Sequence, residues 1–258
     1  KGKTMKEDDE EFLQGAALPL GALSAADLYD RTKKMMWSAV RYKEMRMEYA
    51  CALKEIRTKF DVLNPEFNVR ESRNPIASIT TRLKSTESIA KKLIGKNLPL
   101  TLDSMEKNIF DIAGVRVVCS YIDDIYQIAD AFLRQDDIRL IARKDYIEEP
   151  KPNGYRSLHL IVSVPVFFAE KRKEVNAEVQ IRTIAMDFWA SLEHQMKYKR
   201  SIPDQQEISE GLRGCADVIA RTDREMLALR RRIEAAEDLP SEDDELFDRL
   251  RKLDIQIG

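Results

Sequence analysis

Two short segments carry the residue types that could do chemistry. Residues 151–159 read KPNGYRSLH, and residues 178–183 read EVQIRT. In the first, a glycine turn carries Lys151 and Tyr155 into a strand. In the second, a strand lifts the lone carboxylate of Glu178 between apolar neighbours. A ring can stack a base, cations can hold phosphates, and a carboxylate can bind a metal or take a proton. The combination describes a nucleotide site. Strand alternation sorts the side chains. Glu178, Gln180 and Arg182 share one face, with Val179 and Ile181 on the other. Tyr155, Ser157 and His159 share a face, with Leu158, Leu160 and Val162 opposite. A single strand of this kind usually marks a sheet with one solvated side. Tyr, His, Gln and Glu on the polar faces weaken that reading.

Two further segments add cations and a second carboxylate. RLKSTESIAKK (residues 82–92) puts Arg82 and Lys84 at a strand end. Ser85 is placed to cap the following helix, and Ser88 and Lys92 fall one turn apart on it. Helix N-termini bind phosphate through free N–H groups, although Lys/Ser-rich helix starts are common on soluble surfaces. Asp111 opens DIAGVRVV just before another strand, where Gly114 permits close backbone approach. An Asp at such a position is more often a turn or cap residue. Paired with Glu178, it could hold Mg²⁺, which favours a few carboxylates plus nucleotide phosphates. His159 and His194 are the only histidines, and neither sits in HExxH or a His-Asp pair. His194 shares a helix face with Asp187 and reads as a hydrogen-bonded structural residue. Neither GxxxxGK[ST] nor GxGxxG occurs.

The elements that must position these residues follow from periodicity. From Leu28 to Phe60, apolar residues recur at three- and four-residue steps, which predicts a long amphipathic helix ending near Asn64–Pro65. Strands are expected over residues 79–84, 115–121, 139–147, 155–164 and 174–183. Helices are expected over 85–94, 123–133 and 183–197, with Trp189 in the core on a stripe with Ala185, Leu192 and Met196. A last long helix is expected over 205–236, with Leu212, Val218/Ile219, Met226/Leu227 and Ile233 on its stripe. Strands interleaved with helices give an α/β fold with helical N- and C-terminal extensions.

Composition sets outer bounds. The 258 residues are 43% hydrophobic, enough for one substantial domain. Charged residues nearly cancel to a formal net charge of -2, so any anion site is local and a nucleic-acid coat is disfavoured. Cys51, Cys119 and Cys215 lie far apart with no CxxC, which suits a reducing compartment and gives no zinc signature. No apolar run reaches membrane-span length and no signal peptide is visible, so a cytoplasmic location is expected. Residues 1–23 are expected to be flexible, 24–68 to form a helical extension, 69–200 the catalytic domain, and 201–258 a helical oligomerisation region with an acidic tail. That tail (residues 234–247) holds seven acidic residues and no basic one, and reads as a solvated linker. Leu246, Leu250 and Leu253 suggest a short final helix.

RLKSTESIAKKL, DIAGVRVV, KDYIEEPKPNGYRSLH and EVQIRTIAMDFWASLEH, in that order, resemble the synthetase domain of the RelA/SpoT alarmone synthetases. The resemblance covers roughly Ser72 to Arg200. No counterpart of the family's hydrolase domain is present, so the chain resembles a small, single-domain alarmone synthetase. The resemblance implies a nucleotidyltransferase-like mixed β-sheet flanked by helices. It implies transfer of the β,γ-pyrophosphate of ATP to the 3′-hydroxyl of GTP or GDP, with Mg²⁺. By the same resemblance Arg82 and Arg116 sandwich adenine. Lys84, Ser88 and Lys92 hold ATP phosphates, joined by Lys144 or Arg143. Asp111 and Glu178 match the Mg²⁺ ligands, and Glu178 matches the base for the 3′-hydroxyl. Tyr155 matches the ring stacked on guanine, Lys151 and His159 the acceptor-phosphate ligands, and Gln180 and Asp187 lie beside guanine or its ribose. It further implies a homotetramer through terminal helices and an allosteric alarmone site.

Two other readings compete. One keeps the donor chemistry but uses an adenine nucleotide or the tRNA 3′ end as acceptor; near-neutral charge and the lack of a long basic stripe disfavour tRNA. The other is a non-catalytic nucleotide- or RNA-binding regulator, which retention of both carboxylates and the tyrosine disfavours.

Overall fold

A computed structural model of the chain describes residues 25–71, 73–198 and 205–237. The N-terminal segment, the acidic run beyond residue 237 and the final short helix lie outside the described residues. The first helix, α1 (Ala25–Glu71), buries Met45, Tyr49, Leu53, Ile56, Phe60 and Leu63 at helical spacing. Met35, Met36 and Val40, on the same expected stripe, are exposed. The helix does not end at Asn64–Pro65; it runs to Glu71 with Pro65 inside. Proline removes a donor and crowds the preceding turn. Here Leu63 is buried and Phe67 packs against the core, while Asn64 Oδ1 accepts from the Ile76 backbone N–H at 3.2 Å. Tertiary packing on both sides of the proline outweighs its local cost.

Five strands form one mixed sheet: β1 (Ile76–Leu83), β2 (Ala113–Cys119), β3 (Arg139–Asp145), β4 (Leu158–Phe167) and β5 (Arg172–Thr183). Their order is β1-β2-β5-β4-β3. β2 and β5 are parallel and the other neighbours antiparallel. The remaining helices are α2 (Thr86–Gly95), α3 (Leu102–Asn108), α4 (Ile122–Leu133), α5 (Ile184–Tyr198) and α6 (Gln205–Glu237). The seven-residue α3 was not expected; its start is fixed by Thr101, whose side chain accepts from the Ser104 N–H. β4 begins at Leu158 rather than Tyr155, so Tyr155 and Ser157 lie in its approach segment. β3 stops at Asp145, not Ile147, because Asp145 Oδ1 accepts from the N–H groups of Ile147 and Glu148 and turns the chain.

The sheet has one core face. Val115 and Val117 of β2, Val179 and Ile181 of β5, and Leu160 and Val162 of β4 are all buried there. The helix α1 packs across β1, β2, β4 and β5, and α4 lies beside it against β2 and β5. Phe60 of α1 stacks on Phe132 of α4 with centroids 4.6 Å apart. Burial of such side chains, at roughly 1.5–3 kcal/mol each, is the main force holding the sheet flat against α1. The other sheet face carries the polar residues of the site.

The helix α6 docks differently from expectation. Val218, Met226 and Ile233 are exposed, whereas Ala216, Ala220 and Asp223 are buried. Small residues let the helix come close to its neighbours; of the expected stripe, Leu212 and Ile219 pack against the Trp189 cluster while Val218, Met226 and Ile233 face outward. Trp189 is buried with Ala190 and Ala216, as expected for a core residue, but Leu192 and Met196 are exposed. His194 is exposed as well.

Candidate active site

Register places the polar side chains in rows across the open face. One row runs Thr80, Arg116, Gln180, His159, Lys144 from β1 to β3. The next holds Arg82, Gly114, Glu178 and Ile161. Arg82, Lys84, Asp111, Gly114, Arg116, Glu178 and Gln180 line one open cleft of ≈ 400 Å³. A Cβ on Gly114 would meet only the Arg82 carbonyl oxygen at 3.6 Å, an ordinary contact. The absent Cβ leaves open space over the sheet at this position.

At the β1–α2 junction, Ser85 caps α2 by accepting from the Ser88 N–H at 3.2 Å, and its own hydroxyl donates to Ser88 Oγ at 2.8 Å. The turn is pinned from α1: Arg46 donates to the Lys84 carbonyl at 3.0 Å, and Tyr42 and Thr86 share a 2.6 Å hydroxyl contact. Lys84 Nζ donates to Asp111 Oδ2 at 2.9 Å. Lys92 Nζ, from the end of α2, lies 2.8 Å from Asp111 Oδ1 as an ion pair without aligned hydrogen-bond geometry. Burial pushes the Asp111 carboxyl up, but Lys92 and Lys84 more than offset this and hold it below the usual carboxylate range.

Glu178 rises from β5 into the same cleft. His159 Nδ1 lies 3.2 Å from its Oε1, and Gln180 Nε2 donates to its Oε2 at 2.8 Å. Burial raises its pKa and the negative Asp111 adds to that, yet the contacts with His159 and Gln180 prevail and the carboxyl sits below its ordinary value. Both acids are thus ionised at neutral pH. Among the described residues no group of three or more His, Cys, Asp or Glu gathers to hold a metal. A cation held by Asp111 and Glu178 alone would draw its other ligands from phosphates and water.

Beyond Glu178 the face turns aromatic. Gly154, at φ +89, closes the turn that presents Tyr155. The Tyr155 hydroxyl is 2.8 Å from His159 Nε2, and its ring lies 4.6 Å from Lys151 Nζ. Burial pushes the Tyr155 hydroxyl pKa up. Tyr146 completes the cluster: Lys151 Nζ sits 4.5 Å from its ring, and the ring meets His159 edge-on at 5.1 Å. Asp187, at the start of α5, bridges Arg116 at 3.2 Å and Arg182 at 3.3 Å.

The structure therefore gathers Arg82, Lys84, Ser88, Lys92, Asp111 and Arg116 around one half of the face and Lys151, Tyr155 and His159 around the other, with Glu178, Gln180 and Asp187 between them. Lys144 stands opposite His159, with three strands between it and Thr80 in the same row, and not beside Lys84 and Lys92. Arg143 points away from the site: it contacts Asp130 and Asp145 and lies over Tyr126 on the α4 side. Two site residues escape a sequence reading. Tyr146 sits within KDYIEEPKPNGYRSLH but off any strand. Arg182 shares a strand face with Glu178 and Gln180, yet a guanidinium at a strand end is ordinarily solvated; here it is 2% exposed.

The region matched by the family model described as "Region found in RelA / SpoT proteins" spans residues 81–203, which includes the cleft residues from Thr81 to Gln180. The chain is 42% identical over 193 residues to the GTP pyrophosphokinase YwaC of Bacillus subtilis, covering 75% of this chain and 92% of that protein. The chain belongs to the RelA/SpoT-type small alarmone synthetases. Family structures share its fold. The crystal structure of small alarmone synthetase 2 from Bacillus subtilis superimposes with a TM-score of 0.67 at 41% identity, over 74% of this chain and 98% of that one. Small alarmone synthetase 1 from the same organism, bound to its product pppGpp, superimposes with a TM-score of 0.68 at 32% identity, over 75% of this chain and 98% of that one. Both matches leave about a quarter of this chain unaligned.

Proposed function

We propose that this chain is a GTP pyrophosphokinase: it moves the β,γ-pyrophosphate of ATP as a unit to the 3′-hydroxyl of GTP or GDP, making pppGpp or ppGpp. The observation that carries the reading is the single face on which two ionised carboxylates lie between a cationic helix start and a lysine-flanked tyrosine. Arg82 and Arg116 border the donor half, where guanidinium planes can stack on adenine. Lys84, Lys92 and the capped start of α2 suit the donor phosphates, since free N–H groups and ammonium ions converge there. On the acceptor half, Tyr155 offers a plane for guanine, Lys151 and His159 suit its phosphates, and Gln180 and Asp187 flank the base or ribose. Lys144, beside His159, belongs with this half as a further phosphate contact.

Asp111 and Glu178 fit Mg²⁺: both are carboxylates below their ordinary pKa, both line one cleft, and Asp111 Oδ1 lacks an aligned donor. Bound there, the ion supplies charge neutralisation for the phosphates. The protein's own task is alignment. A ribose hydroxyl is a poor nucleophile, and ionised Glu178 takes its proton as its oxygen bonds to the β-phosphorus and the bond from that phosphorus to the α-phosphate oxygen breaks, releasing AMP. Lys84 and Lys92, which neutralise Asp111 before substrate arrives, are placed to share their charge with the transferring group.

Further parts of the reading concern the whole protein. Tyr29, Met36, Trp37 and Val40 of α1 line an exposed apolar groove, which supports a homotetramer assembled through terminal helices; its central cleft would be the place for an allosteric alarmone. Cys51, Cys119 and Cys215 are free thiols, and among the described residues no helix is long and apolar enough to cross a membrane. A cytoplasmic enzyme acting on free nucleotides suits both facts. The test is an acceptor panel with one labelled ATP. GTP and GDP should take up label, whereas labelling of an adenine nucleotide or tRNA alone would overturn the acceptor assignment.

A further inference from the structure

Arg182 is a buried cation that the reaction as described leaves without a task. Removing a guanidinium from water is costly, and an apolar side chain of similar volume is often as stable in its place. What the arginine adds is direction, because it can only donate. One terminal nitrogen donates to the Tyr155 hydroxyl at 2.9 Å and to Gln180 Oε1 at 2.6 Å. The other donates to Asp187 Oδ1 at 3.3 Å.

Each of the first two bonds fixes the next. Gln180 spends its amide oxygen on Arg182, so its NH₂ group is the one turned to Glu178 Oε2, 2.8 Å away. The Tyr155 oxygen accepts from Arg182 on one lone pair, and its own proton points to His159 Nε2 at 2.8 Å, the direction that the neighbouring guanidinium favours. In the neutral imidazole that makes Nε2 the acceptor and puts the ring proton on Nδ1, which stands 3.2 Å from Glu178 Oε1. Both oxygens of Glu178 therefore receive hydrogen bonds whose polarity begins at one guanidinium.

We propose that Arg182 is a positioning residue: through Gln180, and through Tyr155 and His159, it sets the direction of the two hydrogen bonds that hold the Glu178 carboxylate in place for the transfer. Its role in the transfer rests on Glu178 acting as read above. Without Arg182 the Gln180 amide is free to flip and the imidazole to change tautomer. Either change turns a lone pair toward the carboxylate and swings it away. Misplacing a reacting group by about 1 Å can cost about 10²-fold in rate.

The tautomer is read directly by nitrogen NMR of the full chain labelled at histidine, without substrate. His159 and His194 are the only two histidines, and a His194→Gln variant leaves the His159 signals alone. At about pH 8, where an ordinary imidazole is neutral, wild type should show Nδ1 protonated and Nε2 bare. Arg182→Met should lose that preference and lower kcat roughly 10–100-fold with little change in the KM for ATP, and Arg182→Lys, which still donates, should recover part of it. Should Arg182→Met fail to fold, Tyr155→Phe keeps the stacking ring and must shift the tautomer in the same way. A His159 ring protonated at Nε2 or at both nitrogens in wild type, or a tautomer unmoved in these variants, overturns the proposal. Because the spectrum needs no turnover, that result leaves pyrophosphate transfer standing, and a failed acceptor assay leaves the spectrum standing.

Discussion

At the scale of single residues, the account turns on Glu178 being an ionised, immobilised carboxylate. Glu178→Gln keeps the shape and a hydrogen-bonding end but cannot take a proton. We expect kcat to fall by about 10²–10⁴-fold, with thermal unfolding close to wild type, as steady-state assays and melting curves will report. Much of this was legible in the sequence because β alternation is a strict rule: EVQIRT puts Glu178 and Gln180 on one face whatever surrounds them. The burial of Arg182 was not legible. It depends on Tyr155, which arrives from the turn before β4, closing over Gln180 of the same strand and Asp187 at the start of α5. The choice between Arg143 and Lys144 was likewise set by register: Lys144 pairs with His159, and its neighbour necessarily faces α4.

At the scale of elements, α6 acts as a buttress for the turn that presents Tyr155. A Cβ on Gly154 would lie 2.6 Å from the Ala216 Cβ. Arg156 donates to the carbonyls of Gly154 and Ala216 at 3.1 and 3.2 Å, tying turn to helix. Trp189 donates to the Leu212 carbonyl at 2.9 Å on the same side. Gly154→Ala combines a positive φ with this overlap and should cost about 1–3 kcal/mol and raise the KM for GTP. Adding Ala216→Gly should return part of both, as paired melting and kinetic measurements can check. Sequence periodicity marked α6 as a helix and placed Leu212 and Ile219 correctly on its docking face, but it also put Val218, Met226 and Ile233 there and missed Ala216 and Ala220, because nothing in a periodic stripe says how closely a helix must approach. The run of α1 past Pro65 was hidden for a related reason: the residues that hold it lie on β1 and in the core.

The same helix carries a pH signature. Asp223 is buried and accepts from Thr183 Oγ1 at 2.7 Å. Burial pushes its carboxyl up, with Thr183 and Arg224 pulling the other way without cancelling it. A carboxyl whose folded pKa exceeds its unfolded value favours the fold while protonated, and that contribution is lost as pH rises through the folded pKa. Asp223→Asn keeps an oxygen for Thr183 without the buried charge. It should raise Tm by about 2–4 °C at neutral pH, and the gap should close below about pH 4. Melting curves across that range test the sign.

At the scale of the whole molecule, α1 buries Met45 to Leu63 in the core while its first turns leave large apolar side chains exposed. Tyr29, Met36 and Trp37 are all more than half exposed, at 69%, 62% and 58%, a concentration of large apolar surface that a partner helix would bury. Light scattering should give the mass of a tetramer for wild type and a smaller species for Trp37→Glu; an unchanged mass would remove α1 from the interface. Fold class was readable from interleaved strands and helices, and the mixed sheet from the family motifs. The exposed half of α1 was not, since a hydrophobic stripe looks the same whether it is covered by its own chain or by another.

The most direct test of the central claim follows the terminal phosphates of ATP. With γ-labelled ATP, GTP and Mg²⁺, purified protein should form labelled pppGpp and an equal amount of AMP. Label released as inorganic phosphate beside ADP, or a guanosine nucleotide that stays unlabelled, would contradict it.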